Sequence, residues 1–136
     1  MLDAEKIYAI APFPELLSEL KRSLPSRTIE TICNNGADFP GVPNHSVDFL
    51  FTFGVFVHLD QEAIRQYLHN MMDILKPSAV AVIQYSDDRK PMAKANSGFT
   101  NNNPDEMREI VQSSGFTIEK EDTHTLWHSA IIQFRS

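Results

Sequence analysis

Three histidines are the side chains in this sequence with the clearest potential for chemistry. His58 follows a mainly apolar run, and an imidazole titrates near neutral pH, so His58 is a candidate general base. His124 and His128 are four residues apart, but they fall in a predicted loop or strand rather than on one helix face. A zinc site needs further ligands at suitable spacing, and the sequence offers none, so we predict no metal site.

Other catalytic patterns are missing from the sequence. Asp87 and Asp88 are adjacent in a polar segment, which favours a solvated loop pair over an acid–base dyad held in position. The chain contains no nucleophile elbow, no phosphate-binding P-loop and no Cys–His arrangement. These patterns therefore give no support for covalent hydrolysis or for P-loop nucleotide binding.

Composition and charge limit the class of partner. The 136 residues are 42% hydrophobic and 22% charged, as in an ordinary globular domain, and the formal net charge is -6. Because no stripe of Lys and Arg interrupts the acidic background, we predict no nucleic-acid partner. A single cysteine, Cys33, excludes an internal disulfide, and its apolar surroundings predict a buried, inert thiol. With no signal-peptide pattern and no run of 18 apolar residues, we expect a cytoplasmic protein without a membrane partner.

The elements that position these side chains alternate along the chain. Helices are predicted after Pro14, Asp60 and Asn103, where apolar residues recur at helical spacing behind a proline or a capping side chain. Apolar runs between them predict six strands, at residues 6–11, 28–33, 47–53, 79–85, 116–121 and 129–134. The alternation indicates one α/β domain over residues 1–136, with a mostly parallel sheet, helices on both faces and a final antiparallel pair at one edge. The polar stretch from Ser86 to Asn103 lacks periodicity and predicts a mobile loop, either a lid or a plain connector.

Three segments, in order and at suitable spacing, resemble class I S-adenosylmethionine-dependent methyltransferases. The run Ser46–Asp60 is similar to the fourth-strand region of that family, which ends in His-Leu. Ile74–Pro77 resembles the end of the family's next helix, at Leu-Lys-Pro. Met107–Phe116 resembles the helix that closes on Gly-Phe before the sixth strand. The resemblance implies a doubly wound Rossmann-like fold, S-adenosylmethionine as cofactor and methyl transfer to a small acceptor.

The resemblance also implies candidate cofactor-binding residues. Asp38 matches an acidic residue near the adenine amino group, and Phe39 is placed to pack on the adenine ring; Asp38 is equally expected as the cap of a turn. Phe53 and Gly54 match positions beside the methionine and sulfonium, with core packing the alternative for Phe53. For His58, the resemblance favours a structural role at a helix entrance over catalysis.

Two departures from the family pattern predict weak or absent cofactor binding. Ala11 stands where the family has the acid that binds the ribose hydroxyls, and no G-x-G occurs in the 136 residues. The expected form is a truncated fold without the first strand and its glycine-rich loop. Its parallel strands would take the flavodoxin-like order 2-1-3-4, with residues 6–11 beside residues 47–53.

Three functions therefore stay open. The chain is a methyltransferase-like protein that binds the cofactor weakly or as a homo-oligomer, a degenerate binding or regulatory module that pairs with a complete methyltransferase, or an inactive part of a longer gene product.

Overall fold

The computed structural model describes residues 4–136, and the chain divides into two compact units, Met1–Pro43 (unit 1) and Asn44–Ser136 (unit 2). Unit 1 contains three elements: β1 (Ile7–Ala11), α1 (Pro14–Ser23) and β2 (Ile29–Cys33). Unit 2 contains seven, and a short 3-10 helix (Phe56–His58): β3 (Val47–Thr52), α2 (Gln61–Ile74), β4 (Leu75–Ser86), α3 (Pro91–Lys94), α4 (Pro104–Ser113), β5 (Thr117–Asp122) and β6 (Ser129–Arg135). Among the described residues, no helix is both long enough and apolar enough to cross a bilayer.

Unit 1 is a single βαβ motif. β1 and β2 pair in parallel, with Ile7 opposite Ile29 and Ala11 opposite Cys33, and α1 forms the crossover between them. Pro14 starts the helix as predicted, because its fixed φ suits the first turn. The expected buried thiol is wrong: Cys33 is exposed. Side chains alternate along β2, so the buried neighbour Ile32 takes the inward position and Cys33 does not.

Unit 2 is built on a four-stranded mixed sheet with the order β3-β4-β6-β5. β3 and β4 are parallel, whereas β6 is antiparallel to both β4 and β5, which confirms the antiparallel pair at the edge. The two central strands bury one face of the sheet, where fully buried residues of β4 and β6 pair: Ala81 with Phe134, Ile83 with Ile132, and Tyr85 with Ala130. These side chains share the core with buried residues of α2 and α4: Ile64, Leu68, Met71, Met107, Ile110 and Val111.

The two long helices of unit 2 begin at the predicted caps. Asp60 accepts a hydrogen bond from the Ala63 amide at 2.8 Å, and Asn103 accepts from the amides of Asp105 and Glu106 at 3.1 Å. Each cap satisfies amides that have no partner inside the helix, which is worth about 1 kcal/mol. Gly115 ends α4 with a φ of +94°, as its position in the sequence predicts.

The predicted neighbour relation between residues 6–11 and 47–53 is not formed. In the described part of the chain, β1 is hydrogen-bonded to β2 and β3 to β4, in two separate sheets. A sheet order gives the sequence of strands but not the distance of about 4.8 Å between neighbouring strands that a ladder requires. Deleting one strand from the order therefore does not by itself predict a new hydrogen-bonded pair.

Two segments of unit 2 are more regular than predicted. β4 starts at Leu75 rather than Ala79, with a register shift against β3 and Ser78 in the left-handed region at φ +65°. The stretch 86–103 contains α3, and the Thr100 amide donates to the Val57 carbonyl at 2.9 Å. The sequence predicts a structureless loop here, but the segment is held by α3 and by the Thr100–Val57 hydrogen bond. This bond joins residues about 40 positions apart, so no local sequence pattern indicates it.

Candidate functional site

The first group of candidate residues lies in unit 1, in the turn after β2. Asp38 Oδ1 accepts the Asn35 amide at 2.9 Å, Asn35 Oδ1 accepts the Ala37 amide at 2.9 Å, and Asn34 Oδ1 accepts the Gly36 amide at 3.2 Å. Gly36, at φ +100°, supplies the left-handed backbone that lets the turn close. Short polar side chains that bond to nearby amides in this way stabilise turns, so the structure gives Asp38 the capping role that the sequence allows.

The same turn leaves Asp38 with further hydrogen-bonding capacity. Its carboxylate is half-buried, and within residues 4–136 its other oxygen, Oδ2, accepts no hydrogen bond. Phe39 follows directly and is half-buried. Ala11, at the end of β1, is tied to the turn because its carbonyl accepts the Asn34 amide at 3.1 Å. The capping of Asp38 and a role in ligand binding are therefore compatible.

The second group lies in unit 2, where the chain leaves β3. Gly54 adopts φ +78°, and its amide donates to Gln84 Oε1 at 2.7 Å. Gln84 is buried near the end of β4, and its Nε2 donates to Ser129 Oγ at 2.8 Å. A Cβ added at Gly54 would meet nothing within 4 Å, so the glycine is required by its backbone conformation and not by crowding. Sequence reasoning found Gly54 and missed Gln84, which lies 30 residues further along the chain.

Phe53 does not lie in the core. Its side chain is 53% exposed and packs against Phe51 with ring centroids 6.4 Å apart, so the alternative of plain core packing does not describe it. An exposed aromatic face beside an open glycine turn is a surface that suits a cation such as a sulfonium.

His58 ends the short 3-10 helix and is exposed. Its Nδ1 lies 2.7 Å from the Gly98 carbonyl oxygen, and because a carbonyl only accepts, Nδ1 carries the proton. The ring also meets the edge of Phe99, with centroids 5.5 Å apart. His58 therefore fastens the segment around Gly98, and in the neutral ring Nε2 carries the lone pair that a general base would use.

Buried polar groups gather at the end of β4, and sequence reasoning missed them. Tyr85 and Ser86 are buried, and neither the Tyr85 hydroxyl nor Ser86 Oγ has a hydrogen-bond partner among the described residues. Burial raises the pKa of the Tyr85 phenol, and the nearby carboxylates of Glu121 and Asp87 raise it further. Tyr85 is therefore a neutral hydroxyl at any physiological pH, and it gives this end of the sheet a potential donor rather than a charge.

Metal-ligating side chains do not assemble in this structure. Within residues 4–136, no three His, Cys, Asp or Glu side chains come together in a way that could hold a metal ion. His128 packs on Phe99 at 5.3 Å, and its Nδ1 is buried, whereas the Asp122 carboxylate accepts the His124 amide in the turn between β5 and β6. His128 therefore lies against an aromatic ring, whereas His124 belongs to a polar turn, and the two do not form a shared site.

A comparison with protein families identifies the chain. The family model described as "Methyltransferase domain" matches residues 1–83, a span that includes Asp38, Phe39, Phe53 and Gly54. The chain therefore belongs to the methyltransferase domain family, and the resemblance found in its sequence is confirmed. No curated protein matches the chain in a sequence comparison.

Solved structures support the fold. A S-adenosylmethionine-dependent methyltransferase from Mesorhizobium loti matches 98% of this chain and 81% of its own, with a TM-score of 0.79 and 11% identity. A SAM-dependent methyltransferase from Aquifex aeolicus matches 96% of this chain and 68% of its own, with a TM-score of 0.68 and 18% identity. A structure described as "A Pericyclic Reaction enzyme" has a TM-score of 0.76 and 14% identity, and this chain spans only 37% of it. At these identities the likeness shows the Rossmann-like methyltransferase fold alone.

Proposed function

We propose that this chain is a methyltransferase-like domain, acting in the cytoplasm, that binds S-adenosylmethionine weakly and serves methyl transfer to a small-molecule acceptor. The observation that carries the proposal is the turn at Gly54. It follows a parallel strand in a chain of this family, has a positive φ, is held by Gln84, and has open space where a side chain would stand. A backbone held open in this way suits close approach of a ligand.

Each group of candidate residues has its own proposed role. In unit 1, Asp38 would accept a hydrogen bond from the adenine amino group through Oδ2, and Phe39 would pack on the ring. In unit 2, Phe53 and the Gly54 backbone would face the sulfonium and methionine side. Because methyl transfer depends on lining up acceptor and sulfonium, these residues act by positioning. No proton-transfer step is assigned to His58, which is occupied in holding Gly98.

The affinity should be low. Ala11 offers no carboxylate to the ribose hydroxyls, and hydrogen bonds to a charged acceptor contribute roughly 1.5–3 kcal/mol each. Losing two such bonds weakens binding by about two to four powers of ten, so we expect a dissociation constant in the millimolar range, equivalent to about 4 kcal/mol.

A second candidate function is a binding or regulatory module without activity of its own. It is favoured by Ala11, which offers no carboxylate at the ribose position. Such a module would pair with a complete methyltransferase. The fold itself does not decide between the two, since a pericyclic enzyme shares it.

Calorimetric titration with S-adenosylmethionine and S-adenosylhomocysteine tests the proposal. We expect no measurable heat at low micromolar ligand, weak binding at millimolar ligand, and tighter binding by Ala11→Asp. Asp38→Asn keeps an oxygen for the Asn35 amide but removes the charge, so it should weaken binding without opening the turn; Glu19→Gln is the matched control on α1. Micromolar binding by the unmodified chain would overturn the weak-binding proposal, and no binding even by Ala11→Asp would favour the module.

A further inference from the structure

The buried side chain of Gln84 is held in a single orientation. Gln84 is 2% exposed, and its amide group lies between the Gly54 amide nitrogen at 2.7 Å and Ser129 Oγ at 2.8 Å. A backbone amide only donates, so the carbonyl oxygen Oε1 must face Gly54 and the NH₂ group must face Ser129. Ser129 therefore fixes which atom of Gln84 meets the turn after β3.

The bond to Gln84 also sets the direction of the peptide group between Phe53 and Gly54. This peptide is trans and planar, so its C=O and N–H point in opposite directions. Because the Gly54 N–H points to Gln84, the Phe53 carbonyl points away from Gln84. Phe53 and Gly54 are both exposed, and a Cβ added at Gly54 would meet nothing within 4 Å, so the carbonyl belongs to an open turn.

This orientation decides what the turn offers to a ligand. The Gly54 amide is already used by Gln84, whereas the Phe53 carbonyl is an acceptor that faces the other way. The turn therefore suits a ligand group that donates a hydrogen bond and does not suit a carboxylate, which only accepts. Glycine adopts many backbone conformations, so without Gln84 the peptide would be free to rotate and present its N–H instead.

We propose that Gln84 is a positioning residue for the amino-acid end of the ligand bound at this turn. It does not touch the ligand, and acts by holding the Gly54 amide so that the Phe53 carbonyl is presented. The inference rests on the proposed function, which places the methionine side of the cofactor at Phe53 and Gly54. It adds a residue 30 positions further along the chain that controls which end of the peptide the ligand meets.

Amide NMR titration with two ligands tests this role. S-adenosylhomocysteine carries the amino-acid end, and 5′-methylthioadenosine has the same nucleoside and thioether without it. Gln84→Met keeps most of the volume and removes both hydrogen bonds. It should raise the dissociation constant of S-adenosylhomocysteine about three- to tenfold, as for one lost hydrogen bond, and that of 5′-methylthioadenosine less than about twofold. Gln133→Met, half-buried on the same sheet, is the matched control and should change neither constant.

Two further variants separate positioning from simple stabilisation of the fold. Gln84→Glu keeps an oxygen for the Gly54 amide and one that pairs with the Ser129 hydroxyl, so it should restore most of the affinity for S-adenosylhomocysteine. Ser129→Ala removes the second bond alone and should have a smaller effect in the same direction as Gln84→Met. Hydrogen exchange of the Gly54 amide should be fast in Gln84→Met and slow in Gln84→Glu, and so shows in each variant whether the peptide is held.

The ratio of the two dissociation constants distinguishes the outcomes. Equal weakening of both ligands by Gln84→Met would show that Gln84 only stabilises the fold and would overturn the proposal. Unchanged affinity for S-adenosylhomocysteine in Gln84→Met, or weak binding by Gln84→Glu with a protected Gly54 amide, would overturn it as well. Binding of neither ligand by the unmodified chain would instead overturn the proposed function, and the contact inferred from it.

Discussion

The turn after β2 in unit 1 and the turn after β3 in unit 2 are stabilised in different ways. The first is a local network in which Asn34, Asn35 and Asp38 bond to amides at most three residues away. The second depends on Gln84, whose side chain joins the Gly54 amide to Ser129 across three strands of the sheet. A local network can be read from adjacent letters in the sequence, whereas a bond between distant residues appears only when the fold is complete.

The largest loss of stability is expected from a substitution at Gln84. Gln84→Ala removes the acceptor for the Gly54 amide and the donor for the buried Ser129 hydroxyl, and leaves a cavity. We expect a loss of about 2–4 kcal/mol in the free energy of unfolding, measured with urea.

Gln84→Met separates the two contributions, because it keeps most of the volume and removes the hydrogen bonds. Gln133→Ala is the matched control on the same sheet, half-buried and bonded to Glu119, and should cost less than about 1 kcal/mol. Equal losses of stability for Gln84→Ala and Gln133→Ala would show that the buried hydrogen bonds of Gln84 contribute no more than the half-buried bond of Gln133.

A smaller effect is expected in the local network of unit 1. Asn34→Ala removes the bond to the Gly36 amide and the bond to the Asp38 carbonyl, both only partly buried. Since water can replace these partners, the loss should be about 1 kcal/mol. Asn101→Ala, at an exposed position, is the control and should change stability by less than about 0.5 kcal/mol. If Asn34→Ala lost as much stability as Gln84→Ala, the local turn of unit 1 would not be the weaker of the two.

Ser78 lies at a position where a backbone change should stabilise the protein. The residue has φ +65°, a conformation that costs a residue with a side chain about 1 kcal/mol and costs glycine little. Ser78→Gly should therefore raise the free energy of unfolding by up to about 1 kcal/mol. Ser113→Gly, in the last turn of α4, should instead lower it, because glycine adds freedom to the unfolded chain and the change removes the hydrogen bonds of Ser113 Oγ with Arg65 and with the Ile110 carbonyl. A loss of stability in Ser78→Gly would contradict this account of the entry to β4.

The smallest effect is expected in the turn between β5 and β6, where stability should depend on pH. Hydrogen bonds from the side chain and amide of Thr125, and from the His124 amide, lower the pKa of Asp122 from 3.8 to about 2. Because the folded-state pKa is depressed, this contribution is complete above about pH 4 and is lost as the pH falls towards 2. Asp122→Asn should flatten the pH dependence of thermal stability in that window, and Asp88→Asn should not.

The fold was largely predictable from the sequence, and the residues that decide its details were not. Strand and helix positions followed from local patterns: the caps Asp60 and Asn103, the proline at α1 and the apolar run of β3 are each encoded within a few letters. The ladder between residues 6–11 and 47–53 failed because sheet order carries no information on twist or spacing.

The candidate residues show the same division. Gly54 was singled out by its place in the family pattern. Gln84 and Tyr85 form part of an apolar strand pattern and Ser86 begins a polar stretch, and neither pattern indicates that these polar groups are buried. Asp38 was assigned two roles, near the adenine amino group and as the cap of a turn, and its hydrogen bond from the Asn35 amide shows the capping role.

Weak cofactor binding by the two groups of residues can be measured by amide NMR with S-adenosylhomocysteine. The probes are the amides of Asp38 and Gly36 in unit 1 and of Gly54 in unit 2, followed up to about 10 mM ligand. We expect saturable shifts at these amides with a dissociation constant in the millimolar range. No shift at either group up to that concentration, or saturation at micromolar ligand, would contradict it.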